Sequence, residues 1–412
     1  MRRFRRNAAV SFVLVVVCLD VLGFGLIIPI LPKLVEELMG GDVPGASKIY
    51  GWLTALYFLM QFLFAPILGS LSDRLGRRPV ILLALLGSAA DYLFLALAPT
   101  VGWFFLGRAI SGLTGASVTA AMAYVADVTP PEKRAQSFGL IGAMFGLGFV
   151  AGPALGGVLG DVSLRLPFLA AAGLTFLNWI YGLLVMPESL PPERRRPAPW
   201  GQAHPLGAIL ALRDNPKTRR LGLAYFLIFM GQMSLNSVWV LYAGYRYGWS
   251  VAEIGLSLAV FGVMAMIVKG GVVRVVIPWL GEAGALRWGL IITALSYAGY
   301  GLAARGWMVY LILVLGSLGG VASPALQGLV SRTTPPNRQG SLQGAISSLG
   351  SLAGILAPPL ATWLYAYFIS DRAFVHAPGA PIFFGAGLHV AALLLAGRAL
   401  RGGSGAPSER GE

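Results

Sequence analysis

Two aspartates and an arginine interrupt long apolar stretches of this chain: Asp20, Asp91 and Arg108. A charge far from water is costly, so each is a candidate for binding a substrate or handling a proton. At about 1.5 Å per helical residue, Asp20 falls roughly 18 Å along its helix and Asp91 a similar distance along its own. The short turn at 99–102 brings Arg108 back to comparable depth, so Asp91 and Arg108 can pair. That pair has two readings, a structural tie between helices or part of a coupling route. Asp20 likewise is either a proton or substrate site or one member of a helix-packing ion pair. Desolvation favours the neutral form of a buried carboxyl, so such a group can be protonated in one access state and ionised in another. A proton competing with a cationic or metal-chelated solute for one carboxylate would give exchange directly.

Around these charges the polar residues are sparse. Lys269 either faces Asp20 or an anionic substrate group, or extends to the membrane surface on its aliphatic stem. Gln61, Asn178, Gln232, Asn236 and Gln327 either line a cavity or hydrogen-bond neighbouring helices together. His204, His376 and His389 stand at no metal-ligand spacing, and the single cysteine, Cys18, excludes intrachain disulfides and cysteine metal clusters. Gly112-Leu113-Thr114-Gly115 lacks the lysine of a phosphate-cradling loop, and no such loop occurs elsewhere. No nucleophile, base and orienting group converge, so an enzyme is not expected. With no cofactor implied, active transport would draw on an ion gradient, the proton gradient first among them.

The elements that position these residues are membrane helices. Of 412 residues, 56% are hydrophobic and 12% charged, against roughly 25% charged in an average soluble domain. Apolar runs at 8–32, 50–71, 79–98, 102–126, 136–160, 166–186, 221–244, 253–277, 285–304, 307–331, 341–368 and 381–397 predict twelve crossings. Because lipid leaves no partner for an unpaired backbone group, these runs must be helices. The loops on the side of the N-terminus hold twenty-two Lys and Arg against six on the other, which predicts cytoplasmic termini. Basic loops beside anionic headgroups account for the net charge of +14 without nucleic acid. The ten Trp and fourteen Tyr are expected mostly in the interfacial belts. The apolar run after the basic N-terminus is too long for a signal peptide and lacks a cleavage site, so it reads as an uncleaved first helix.

The chain divides into a first bundle at 1–190, a polar linker at 191–220 rich in Pro and Arg, a second bundle at 221–400 and a tail at 401–412. Thr129-Pro130-Pro131 recurs as Thr334-Pro335-Pro336, an offset of 205, and that offset also pairs Gly139 with Gly344 and Pro153 with Pro358. Such a repeat suggests two pseudo-symmetric six-helix bundles with a substrate site between them.

Two segments carry more specific information. Between the second and third crossings, Gly69, Asp73, Arg74, Gly76, Arg77 and Arg78 form a tight basic turn. Gly76 supplies backbone freedom, Asp73 precedes the third helix and suits its N-terminal dipole, and Asp127 is the nearest acid for the arginines. In the fifth helix Gly148, Gly152, Pro153, Gly156 and Gly157 offer a small-residue face for close backbone approach. The first run resembles the signature loop of the major facilitator superfamily, and the second its antiporter motif. With residues 19–32 of the first helix, they make the chain similar to the twelve-helix drug:proton antiporters, nearest the tetracycline efflux proteins. That resemblance implies an all-α membrane fold of twelve helices in an inner membrane and antiport of an amphipathic, drug-like molecule for protons, hence antibiotic resistance. It also implies that the signature loop latches the cytoplasmic face during alternating access. In the efflux proteins a histidine in helix 8 and an aspartate in helix 9 are linked to coupling; Ala265 and Thr293 stand there instead. The rival reading on the same fold is uptake of a sugar or metabolite by a symporter or facilitator, and a non-transporting receptor is a third. The expected partners are a small-molecule substrate and the lipid bilayer, with the protein acting as a monomer.

Overall fold

The computed structural model describes residues 2–115, 117–130, 134–195, 216–332 and 339–401. Among them the chain is helical without strands. The long helices are α1 (Arg2–Ile27), α2 (Leu31–Leu38), α3 (Val43–Leu75), α4 (Arg77–Leu97), α5 (Val101–Thr114), α6 (Ser117–Val128), α7 (Arg134–Val162) and α8 (Leu166–Val185). After the linker come α9 (Pro216–Tyr247), α10 (Val251–Ile267), α11 (Val273–Leu302), α12 (Gly306–Ser317), α13 (Ala322–Arg332), α14 (Gln339–Ile369) and α15 (Ala380–Arg401).

Among the described residues these fifteen helices account for twelve crossings. α1 and α2 form one, broken around Pro29, α5 and α6 form the fourth, and α12 and α13 form the tenth around a 3-10 turn at Leu318–Val321. The helical stretch Val251–Leu302 is 52 residues long and broken within. It reverses at Gly281, where φ is 69°, a left-handed value that glycine adopts without strain. Val268 before the reversal and Gly289 after it both lie against the turn at 319–322, so this stretch supplies the eighth and ninth crossings. Between α10 and α11 the backbone widens into a π turn at Val268–Val272, centred on Lys269, Gly270 and Gly271. Leu97, Leu184, Leu295 and Trp279 stand out from the surface, an apolar exterior suited to lipid rather than water.

The repeat reaches down to helix ends. Shifting by 205 carries Gly76 onto Gly281, the ends of α4 and α5's start onto those of α11 and α12, and Arg134 at the start of α7 onto Gln339 at the start of α14. The Thr-Pro-Pro repeat itself falls largely outside the described residues. Packing obeys the same rule. α1 packs on α7 and α8 as α9 packs on α14 and α15, and α4 packs on α8 as α11 packs on α15. Across the two halves the main contacts are α3 with α14 and α7 with α10, which adding six crossings interchanges.

Small residues make the seam between halves close. A Cβ on Gly152 would sit 2.6 Å from the Gly25 Cα of α1, and one on Gly148 would lie 3.0 Å from the Leu22 backbone nitrogen. On the opposite side of α7, a Cβ on Gly157 would meet the Val251 carbonyl of α10 at 2.8 Å. The glycine face thus sets α7 at backbone distance from α1 of its own half and from α10 of the second, where any larger side chain would push the helices apart.

Candidate functional site

The two faces of the protein differ. At the face opposite the Gly69–Arg78 turn the halves are joined. The Asp161 carboxylate accepts the Ala252 N–H at 3.2 Å, and the Ser47 hydroxyl donates to the Thr362 carbonyl at 3.4 Å. Lys33 reaches across to Gly244 while pairing with Glu36 at 3.1 Å. Midway along, Gly146 of α7 still meets Met266 of α10. Toward the other face the halves part: a side chain on Gly139 or Gly142 of α7, or on Gly270 or Gly271 of the π turn, would meet nothing within 4 Å. On that side none of these glycines meets the other half, the arrangement expected of a cleft open at the face carrying the basic turn.

Beside this cleft the first half gathers its polar residues. The α4–α5 hairpin sets Arg108 Nη2 4.0 Å from Asp91 Oδ2, with both side chains buried. The two do not form a direct hydrogen bond. Instead Arg108 donates to the Ser111 hydroxyl at 3.0 Å, and that hydroxyl donates to Asp91 Oδ2. Arg108 also lies over the Tyr57 ring, 5.9 Å from its centroid, a cation–π arrangement. Asp20 is half-buried on α1 and engaged by a neighbouring group. Both Asp20 and Arg108 act electrostatically on Tyr57 and Tyr92, so the two charges share one neighbourhood. Tyr57 accompanies Gln61, whose amide donates to its hydroxyl at 3.5 Å.

Aromatic rings surround this charge. Phe24 stacks on Tyr57 with centroids 6.1 Å apart and meets Phe149 edge-on at 6.2 Å, and Phe58 lies edge-on to Tyr57 and against Gly354 of the second half. Three of these four rings are phenylalanines, on which the expectation of Trp and Tyr in interfacial belts was silent. Their signal was local: Phe24 lies four residues past Asp20, one helical turn along the same face.

The amides divide by role. Asn178 is fully buried and donates to the Val16 carbonyl at 2.9 Å, tying α8 to α1. Gln327 is exposed on α13 beside Tyr225 of α9. Asn178 thus bonds helices together rather than lining the cleft. Gln232 is half-buried and Asn236 exposed on α9. Lys269 is exposed on the π turn, with its stem free to extend along the surface. Thr293 returns its hydroxyl to the Gly289 carbonyl at 2.8 Å and packs against Gly319. His376 meets the Tyr245 hydroxyl at 3.4 Å, and His389 is buried against the Tyr297 ring; His204 lies outside the described residues. Among the described residues no group of His, Cys, Asp or Glu is placed to hold a metal.

The basic turn is tied down by a network of ion pairs and hydrogen bonds within the first half. The Arg77 guanidinium meets Asp73 at 2.5 Å and Asp127 at 3.0 Å, and donates to the Ser72 hydroxyl at 2.7 Å. The acid at the start of α4 is Glu188, which sequence alone did not single out. It accepts the Arg77 and Arg78 N–H groups at 2.9 and 3.3 Å, the place where a helix N-terminus most favours negative charge. Asp73, expected there, turns to the guanidinium instead. Gly76 has φ of 108°, and a Cβ on it would strike the Glu188 carboxylate. The site therefore needs glycine for both conformation and space.

Known proteins agree with this architecture. The family model described as Major Facilitator Superfamily matches residues 13–358. Tetracycline resistance protein, class C, of Escherichia coli is 42% identical over 362 residues, 88% of this chain and 91% of that protein. Tetracycline resistance protein, class G, of Vibrio anguillarum is 39% identical over 88% of this chain and 91% of its own length. Among solved structures, the human organic anion transporter MFSD10 superposes with a TM-score of 0.71 at 27% identity, covering 95% of this chain and 99% of that one. The nucleoside transporter NupG superposes with a TM-score of 0.77 at 13% identity over 95% of this chain and 99% of its own, a likeness of fold alone. The chain belongs to the major facilitator superfamily, a multi-pass membrane transporter rather than an enzyme.

Proposed function

We propose that this protein exports a flat, amphipathic molecule of the tetracycline kind in exchange for protons, by alternating access of the cleft. The observation that carries the reading is the juxtaposition beside the cleft of the Asp20 carboxylate with Phe24, Tyr57 and Phe149. Rings would hold the apolar body of such a molecule, and the carboxylate would hold either its cationic part or a proton. The similarity to two tetracycline resistance proteins supports the substrate class. Asp91 and Arg108 form the buried companion pair. The proton gradient supplies the energy.

In this reading the basic face is cytoplasmic, the bilayer is the inner membrane, and one chain suffices for transport. Residues 1–190 and 221–400 rock against each other, 191–220 joins them, and 401–412 is a cytoplasmic tail. The latch at Arg77 controls the cytoplasmic opening. One observation favours a second reading, uptake of a metabolite: Ala265 and Thr293 carry no charge into the second half. Labelled tetracycline in proteoliposomes with an imposed pH gradient separates the two. Export predicts movement against the proton gradient that collapses with an uncoupler; movement along it with the proton, or none, contradicts the proposal.

A further inference from the structure

The shift of 205 that relates the two halves places Ser296 where Asp91 stands, Leu313 where Arg108 stands and Gly316 where Ser111 stands. Ser296 and Gly316 face each other across their own hairpin, as Asp91 and Ser111 do, and Leu313 is buried as Arg108 is. The same helical hairpin therefore packs without any charge. Packing does not require the Asp91–Ser111–Arg108 arrangement.

That arrangement also differs from a simple ion pair. An arginine on a carboxylate usually makes two direct hydrogen bonds, which hold the acid ionised. Here Arg108 stands 4.0 Å off, and the serine hydroxyl fills the gap. Asp91 Oδ1 and Arg108 Nε meet no hydrogen-bonding partner among the described residues, although both side chains are buried. A charged carboxylate with one bare oxygen in such a place is poorly compensated, while a neutral carboxyl there is much less costly.

We propose that Ser111 is a positioning residue that lets Asp91 gain and lose a proton without the pair coming apart; this rests on the proton-coupled reading above. A hydroxyl can serve either state. With Asp91 ionised, Ser111 donates to Oδ2 and accepts from Arg108. When a proton from the cleft binds Oδ2, the new O–H donates to Ser111 Oγ, and the serine hydrogen turns back to a carbonyl of its own helix, as helical serines do. One proton enters, no heavy atom need move far, and Arg108 keeps its acceptor. Alanine cannot do this, and threonine can. Among the described residues the other charged or titratable groups facing this site are Asp20 of α1, Tyr50 and Tyr57 of α3 and Tyr92 of α4. α6 and α8 bring Tyr124, Asp127 and Tyr181 only toward their ends at the basic face.

The test compares the intact protein with Ser111→Ala and Ser111→Thr in proteoliposomes. In Ser111→Ala the pH profile of gradient-driven tetracycline transport should be displaced by about one unit, roughly tenfold in rate at a fixed pH on its slope, the scale of one hydrogen bond to a charged group. Downhill flux without a gradient should stay within about twofold, and Ser111→Thr should restore the profile. An unchanged profile in Ser111→Ala, or an equal loss of downhill flux, assigns the serine to packing and overturns the proposal. Infrared difference spectra of the purified protein read the same event without transport. A titrating carboxyl band that Asp91→Asn removes should move in Ser111→Ala and not in Ser111→Thr. If the band moves while the intact protein shows no gradient-driven flux, proton coupling fails and the positioning role stands; if the band stays, the positioning role fails.

Discussion

Compared position by position, the two halves of this transporter keep one scaffold and divide the chemistry. At the centre the first half holds Asp20, Asp91 and Arg108, whereas the equivalents of the last two are Ser296 and Leu313. At the basic turn the pattern is a reversal rather than a loss. Arg77 pairs with Asp127 in the first half, and the residues 205 further on, Glu282 and Arg332, pair at 3.1 Å with the charges exchanged. Both pairs follow a glycine with positive φ, Gly76 and Gly281. The difference lies in environment. Arg77 is bound by several acceptors and its partner Asp127 is 25% exposed, while Arg332, at the position of Asp127, is 78% exposed. A duplicated hairpin thus tolerates either sign at its basic turn and no charge at its centre, so packing alone does not call for the central charges of the first half.

The largest effect expected from this contrast is at Asp20. Asp20→Asn should lower gradient-driven transport about 100-fold, the scale of losing a positioned proton-transfer group. Downhill exchange should survive, and counterflow in proteoliposomes measures both. Equal loss of both activities would make Asp20 a substrate-binding or packing residue with no separate part in coupling and break the contrast at its centre.

Next comes the latch. Arg77→Ala strips partners from Asp73 and Asp127 at a largely buried site and should cost about 3 kcal/mol of stability. Glu282→Gln, whose partner Arg332 is exposed to solvent, should cost less than about 1 kcal/mol. Thermal unfolding in one detergent compares them directly, and similar losses would show that the two latches carry equal weight. The smallest effect is expected at His389, which is buried in the second half with Nδ1 2.8 Å from the Gly385 carbonyl. His389→Gln should cost about 1 kcal/mol of stability and leave the pH profile of transport in place; a displaced profile would put a titrating group in the second half.

What the sequence showed of this follows from the range of each signal. Crossing helices are declared by their own composition, so the twelve spans and the repeat were readable without contacts. The Arg77–Asp127 pair was readable too, because topology brings the third and fourth crossings to one face. Glu188 was not, since 111 positions separate it from Arg77 and it sits at the edge of a linker read for its prolines and arginines. Ser111 was missed for a different reason. A serine one turn from an arginine is common in a helix, and only the hairpin geometry reveals that it bridges to Asp91. The amides show the converse. Asn178 has the residue type of a cavity liner, yet its partner is the backbone of α1. The π turn at Val268–Val272 left only the Gly270-Gly271 pair as a trace.

The claim at the centre of this account is that proton exchange belongs to the first half. Its most direct test is proton release on adding tetracycline to purified protein in weak buffer, for the intact chain, Asp20→Asn and His389→Gln. The account predicts release from the intact chain and from His389→Gln and its disappearance in Asp20→Asn. Release that persists in Asp20→Asn and vanishes in His389→Gln would contradict it.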